Sequence, residues 1–131
     1  NSFKNMIRDL SVDFPDFLIA ITNWYGIVPQ EGYFENKDDH AGELETSVMM
    51  YYHPELVNLE EAGEGTSKPF ALSSLNAQIA WLPRYWSKVS ADTGIGDPRK
   101  STPEKGERYA KAVIEKLALL FTEIGSKEVY L

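Results

Sequence analysis

The six residues FLIAIT, Phe17–Thr22, decide the class of fold to which this sequence belongs. They are apolar almost without interruption, too few for a buried helix, and bounded by Pro15 before and by Asn23 and Gly26 after. A continuous apolar run of this length predicts a strand buried on both faces, as in parallel sheets covered by helices on each side. Working backwards, Phe3, Met6, Ile7 and Leu10 recur at helical spacing. They predict a helix from about Ser2 to Leu10, with Ser2 as its cap and Pro15 disfavouring a helical Phe14. Working forwards, NWYGIVPQEG (23–32) opens a loop at the strand's C-terminal end, the edge where open α/β sheets bind ligands. The order of these elements predicts a layered α/β fold.

Beyond the loop, NKDDHAGELETSVMMYY (36–52) crowds Asp38, Asp39, His40, Glu43 and Glu45 against the start of an apolar run. From about Ala41 it reads as a helix, with Leu44, Val48 and Tyr51 on one stripe and Glu45, Met49 and Tyr52 on the next. HPELV (53–57) adds one more turn with Pro54 at its first position. Residues 58–80 show no period and predict an irregular excursion, and IAWLPRYW (79–86) predicts a short strand interrupted by Pro83. The final helix is the clearest element. Thr102 caps it, Pro103 opens it, Gly125 stops it, and Tyr109, Ala112, Val113, Leu117, Leu120, Phe121 and Ile124 form its apolar face. One strand is too few for a sheet, and the chain opens on Asn1 in mid-pattern without an initiator Met. The expectation is therefore an incomplete portion of a longer protein, residues 1–131 forming part of one domain.

Composition narrows the function classes. A net charge of −7 argues against nucleic acid, whose phosphates demand a basic stripe. Arg99, Lys100 and Lys105 are read as solvated surface. With no cysteine, disulfide scaffolds, thiolate metal sites and cysteine nucleophiles are excluded. No apolar run approaches the roughly 20 residues of a membrane span, and the first residues lack the pattern of a signal peptide, so a cytoplasmic setting without membrane partners is expected.

Two readings of the acidic stretch stand side by side. Carboxylates and imidazole are the ligand set of divalent metals, and His40 and Glu45 can border one cavity. Equally, acids suit the positive end of a helix dipole, and the spacing matches no strong metal motif. Trp24 and Tyr25, at the strand's end, are either core or the wall of a pocket. Trp81, Tyr85 and Trp86 are read as packing, at a subunit interface if the protein assembles, and His53 is given no role.

HAGELETSVMMYYHPELV (40–57) closely resembles the creatininase family of metal-dependent amidohydrolases, in which an H-x-G-x-x-E-T-S-x-M segment leads into a helix ending in P-x-L-V. TGIGDPRKSTPEKGE (93–107) resembles the family's G-x-x-G-D-P-x-x-A-T-x-E-K-G segment, with Ser101 where Ala is usual. Asn1 is similar to the Asn that closes the family's N-G-H-G-G-N metal loop. The resemblance implies the C-terminal part of a single layered α/β domain with a mainly parallel sheet flanked by helices. It implies hydrolysis of a non-peptide C–N bond, in an amide, cyclic amide or formamide, with a divalent metal: zinc first, manganese or iron next. It also implies a small-molecule amide as substrate and a homo-oligomer, often a hexamer. By position, Glu45 matches a metal ligand or its neighbour, His40 the histidine that shuttles or stabilises charge, and Asp39 an orienting acid. Trp24 or Tyr25 matches an aromatic loop over substrate. The family's other metal ligands have no counterpart here, so this portion alone is expected to be inactive. Lys37 stands where creatininase has an acid near substrate, which argues against creatinine itself. A non-catalytic, oligomer-forming paralogue is the alternative.

Overall fold

The structure is a computed structural model that describes residues 2–36 and 38–130. Its helices are α1 (Ser2–Asp13), α2 (Glu43–Tyr52), α3 (Ser73–Asn76), α4 (Trp86–Val89) and α5 (Pro103–Ser126). Short 3₁₀ turns at Trp24–Gly26, Pro54–Leu56, Leu59–Glu61 and Pro98–Lys100 punctuate the connections. No helix among the described residues is long and apolar enough to cross a membrane.

The core forms where α2 lies across α5. Leu44 of α2 meets Tyr109 and Val113 of α5, with Val28 from the aromatic loop closing the cluster. Gly106 lets the two backbones touch: a Cβ there would stand 1.9 Å from the Ser47 carbonyl oxygen. The crossing is stitched by polar groups as well. The Thr102 N–H donates to the Ser47 hydroxyl at 3.3 Å, and the buried Ser101 hydroxyl donates to the Glu43 carbonyl at 3.2 Å. Ser101 thus has its hydroxyl satisfied in a position where a hydroxyl would otherwise cost free energy.

Local sequence signals explain the helix ends. Thr102 caps α5 by accepting from the Lys105 N–H at 3.2 Å, and Pro103 begins it. Gly42 caps α2 with no side chain to offer, and Asp38 supplies the missing acceptor for the Leu44 N–H at 2.9 Å. Pro54 begins a 3₁₀ turn, as its position predicts. Three sequence expectations are corrected. Ser2 is the first helical residue of α1, not its cap, and α1 runs on to Asp13. Helix α5 passes through Gly125 to Ser126, since an exposed glycine weakens a helix without forbidding it. IAWLPRYW forms no strand; its last residue starts α4.

Phe17–Thr22 is the instructive difference. Among the described residues it has no strand partner, and Phe17, Leu18 and Ile21 are exposed. Among the described residues the only ladder contacts are isolated bridges, Glu31 with Phe34, His40 with Ile95 and Ser67 with Ser90. A strand meant to be covered on both faces cannot pair or bury itself without neighbouring strands, so the expected parallel sheet is not formed by these residues.

Candidate active site

Two segments far apart in sequence build the site. His40 and Ile95 exchange backbone hydrogen bonds, 3.0 Å from the His40 N–H and 2.8 Å to the His40 carbonyl, and the Asp39 N–H also donates to Ile95 at 2.9 Å. This bridge brings the acidic stretch against TGIGDP. Gly96 is required there: its φ is +128°, and a Cβ would lie 2.2 Å from the Asp38 Cβ. Packing around Asp38 raises its carboxyl above the ordinary range, burial being the main cause, opposed by the Leu44 N–H.

Ala41 (φ +52°) turns the chain from His40 into α2. Its N–H donates to Glu45 Oε2 at 2.6 Å. The same oxygen lies 3.7 Å from His40 Nδ1, with the two side chains 48% and 41% exposed. Glu45 therefore ties down the helix entry and approaches the imidazole with one atom. The structure brings these two predicted residues together. It does not put both in one enclosed hollow, because His40 lines neither cleft that Glu45 borders.

Those clefts receive the two aromatics. A cleft of about 720 Å³ has Glu45, Met49 and Trp24 in its wall. A smaller hollow of about 240 Å³ is lined by Tyr25, Asp39 and Glu45 among others. The choice between core and wall falls on the wall for Trp24, which is 38% exposed although its ring meets the buried Tyr109 edge-on at 6.4 Å. Tyr109 anchors the whole loop: its one O–H is shared between the carbonyls of Val28 at 2.9 Å and Tyr25 at 3.1 Å. Burial raises the Tyr109 hydroxyl above its ordinary pKa, which keeps it a donor.

Asp39 is placed differently from an orienting acid. Its carboxylate receives the Arg84 guanidinium as a two-pronged fork, NH1 to Oδ1 at 3.1 Å and NH2 to Oδ2. The carboxylate found beside the imidazole is that of Glu45. Arg84 in turn lies over the Trp86 ring, 5.5 Å from its centroid, and that ring stands 5.2 Å from the imidazole. Sequence reading missed both residues. Trp86 was visible only as one of three aromatics, with Trp81 and Tyr85, read as packing in a segment expected to hold a short strand, and no spacing relates Arg84 to Asp39, 45 positions away.

Glu43 faces away from this site. It is fully buried, accepts the Glu35 and Asn36 N–H groups at 2.9 Å each, and receives Lys105 Nζ at 2.5 Å. Lys105 is thus no solvated surface residue: its side chain is 18% exposed and its ammonium is stabilised first by Glu43, then by Glu35. Asn1 and Lys37 lie outside the described residues. Among the described residues no three His, Asp or Glu side chains converge as ligands of a metal would. His40 and Glu45 make two donors at most, so the residues present do not by themselves fit a metal ion.

The creatininase family profile, described as creatinine amidohydrolase, matches residues 1–121. This chain belongs to the creatininase family. A solved structure from Bacteroides fragilis NCTC 9343, provisionally described as a creatinine amidohydrolase, is 61% identical and superposes with a TM-score of 0.95 over 100% of this chain and 52% of the other. A creatininase carrying a single Trp-to-Phe substitution shares the fold at 19% identity, with a TM-score of 0.63 over 92% of this chain and 48% of its own. No curated protein matches the chain. The chain spans about half the length of the solved structures it matches, so its creatininase-like fold is a partial one.

Proposed function

We propose that this chain is the C-terminal part of a single creatininase-like domain and that the complete protein hydrolyses a C–N bond in a small amide, cyclic amide or formamide. The observation that carries the reading is the adjacency of His40 and Glu45 at 3.7 Å, in a chain that belongs to this family. Imidazole is the side chain that both accepts and donates protons near neutral pH. Glu45 lies on the Nδ1 side, which leaves Nε2 to exchange a proton with substrate. Hydrolysis adds water to the carbonyl carbon and breaks the C–N bond, and the departing nitrogen needs a proton. His40 is the residue in this chain suited to deliver it. Trp24 and Tyr25 wall the two clefts that Glu45 borders and supply apolar surface suited to a planar amide reaching from cleft to imidazole.

We also propose a divalent metal, zinc first, in the complete protein. Glu45 would contribute to a ligand set whose other members lie outside this chain. A homo-oligomer is the proposed assembly. The test uses the complete protein and a panel of creatinine, other cyclic amides and formamides. His40→Ala should cut turnover roughly 100- to 10,000-fold with metal content unchanged. Glu45→Gln should lower metal content by elemental analysis. Wild-type turnover in the His40 variant would defeat the reading, and unaltered metal content in the Glu45 variant would remove that residue from the ligand set.

A further inference from the structure

The proposed reading needs His40 held in one orientation, yet half of its side chain is open and Glu45 stands just beyond hydrogen-bond reach at 3.7 Å. Something else must fix the ring. The imidazole packs against Trp86 in a tilted contact, with centroids 5.2 Å apart and planes inclined by 57°. The indole is itself backed by the Arg84 guanidinium, 5.5 Å from its centroid. That guanidinium is locked by both oxygens of Asp39, the residue immediately before His40. The contacts therefore close a ring: Asp39 carboxylate, Arg84, Trp86, the His40 imidazole, and back through one peptide bond.

Such a ring couples side-chain orientation to backbone position. A two-pronged fork fixes the plane of the guanidinium, which a lysine cannot do, and a cation over an indole holds the indole in turn. Trp86 is held from its own side as well. It opens α4, whose end is secured by the Lys68 N–H donating to Val89 at 2.7 Å and by the Ser90 hydroxyl donating to Gly94 at 2.8 Å. Asp39 then acts through Arg84 on the ring beside it, by a path around the contact circuit and not by a direct bond.

We infer that Arg84 and Trp86 are positioning residues for His40, with Asp39 as the anchor that fixes Arg84. The inference rests on the proposed role of His40 for its effect on turnover, but the positioning itself can be read without turnover. His40 and His53 are the only histidines in this chain, and His53 is exposed at the opposite end of α2, contacting Glu55 at 3.2 Å. Diethyl pyrocarbonate modification of each, followed by peptide mass spectrometry on the complete protein, compares a half-exposed ring that packs against an indole with a more exposed one that does not. Trp86→Ala and Arg84→Met should speed modification of His40 and leave His53 unchanged, while Trp86→Phe should stay near wild type. In turnover, Trp86→Ala should lower kcat roughly 10- to 100-fold with little change in KM. Arg84→Lys should recover only part of the Arg84→Met loss, and the Arg84→Met/Trp86→Ala pair should be no slower than Trp86→Ala alone. An unchanged His40 modification rate in both Trp86→Ala and Arg84→Met overturns the inference. Arg84 is partly exposed, so its variant keeps the test valid should Trp86→Ala fold poorly. Turnover missing from the wild-type protein defeats the hydrolase reading, and the modification rates still decide this one.

Discussion

At position 43 a carboxylate is completely enclosed, and it survives there because three donors meet it: two backbone N–H groups and the Lys105 ammonium. Removing one partner of a buried pair costs more than the pair contributes, because the other charge is left behind. Lys105→Met should therefore destabilise the protein by about 3 kcal/mol in denaturant titration, the lower end of the usual range since the backbone donors remain. Adding Glu43→Gln should restore much of the loss. Asp97 acts at the surface with a different signature. The Arg99 fork holds its carboxyl down to about 2. A carboxyl lowered in the folded state stabilises above the ordinary carboxylate range and loses that contribution as pH falls towards about 2. Asp97→Asn keeps the acceptor for the Arg99 N–H but cannot titrate. Its stability, followed by circular dichroism from pH 5 downwards, should lie below wild type at pH 5 and converge on it in acid. Asp38 has the opposite sign: burial raises it, so its ionisation opposes folding and that opposition fades as pH falls.

Helices α2 and α5 were legible as elements because their signals are local. Thr102 and Pro103 mark the start of α5, and Leu44, Tyr109 and Val113 fall on apolar stripes that do become core. The stripe on α5 over-reads its own far end, where Phe121 is 68% exposed. Periodicity reports which residues share a face, and says nothing about whether a neighbour covers it. The crossing itself was not legible. It depends on Gly106, a helix-interior glycine that sequence reading treats as a small defect. Gly106→Ala should raise intrinsic helix propensity yet destabilise the protein by about 1–3 kcal/mol, because the added Cβ meets backbone at Ser47 that cannot swing aside. A gain in melting temperature for this variant would show that the helices can move apart freely.

Across the whole molecule, Phe3, Met6, Phe17, Leu18, Ile21 and Phe121 leave large apolar side chains exposed. Exposed apolar side chains in this number favour association. This chain expressed alone is expected to self-associate and to melt without a sharp transition, measured by sedimentation and calorimetry. A monomer with a cooperative melt would contradict that expectation. The family and the partial fold followed from two ordered motifs, whereas the expected shared hollow of His40 and Glu45 did not form. The Arg84–Trp86 segment and the packing of Lys105 did not follow from the motifs, because neither carries a fixed spacing to its partner.

What the sequence determined unaided is what chain-local chemistry controls: helix starts from caps and prolines, apolar stripes from the helical repeat, and a motif order that marks the family. What tertiary structure alone decided is which acid serves which purpose. Glu43 is buried against Lys105, Asp39 grips Arg84, and Glu45 is the one beside the imidazole. Three carboxylates within seven residues are alike in composition. They are told apart only by the side of the helix entry each leaves from and by the distant segments that fold back to meet it.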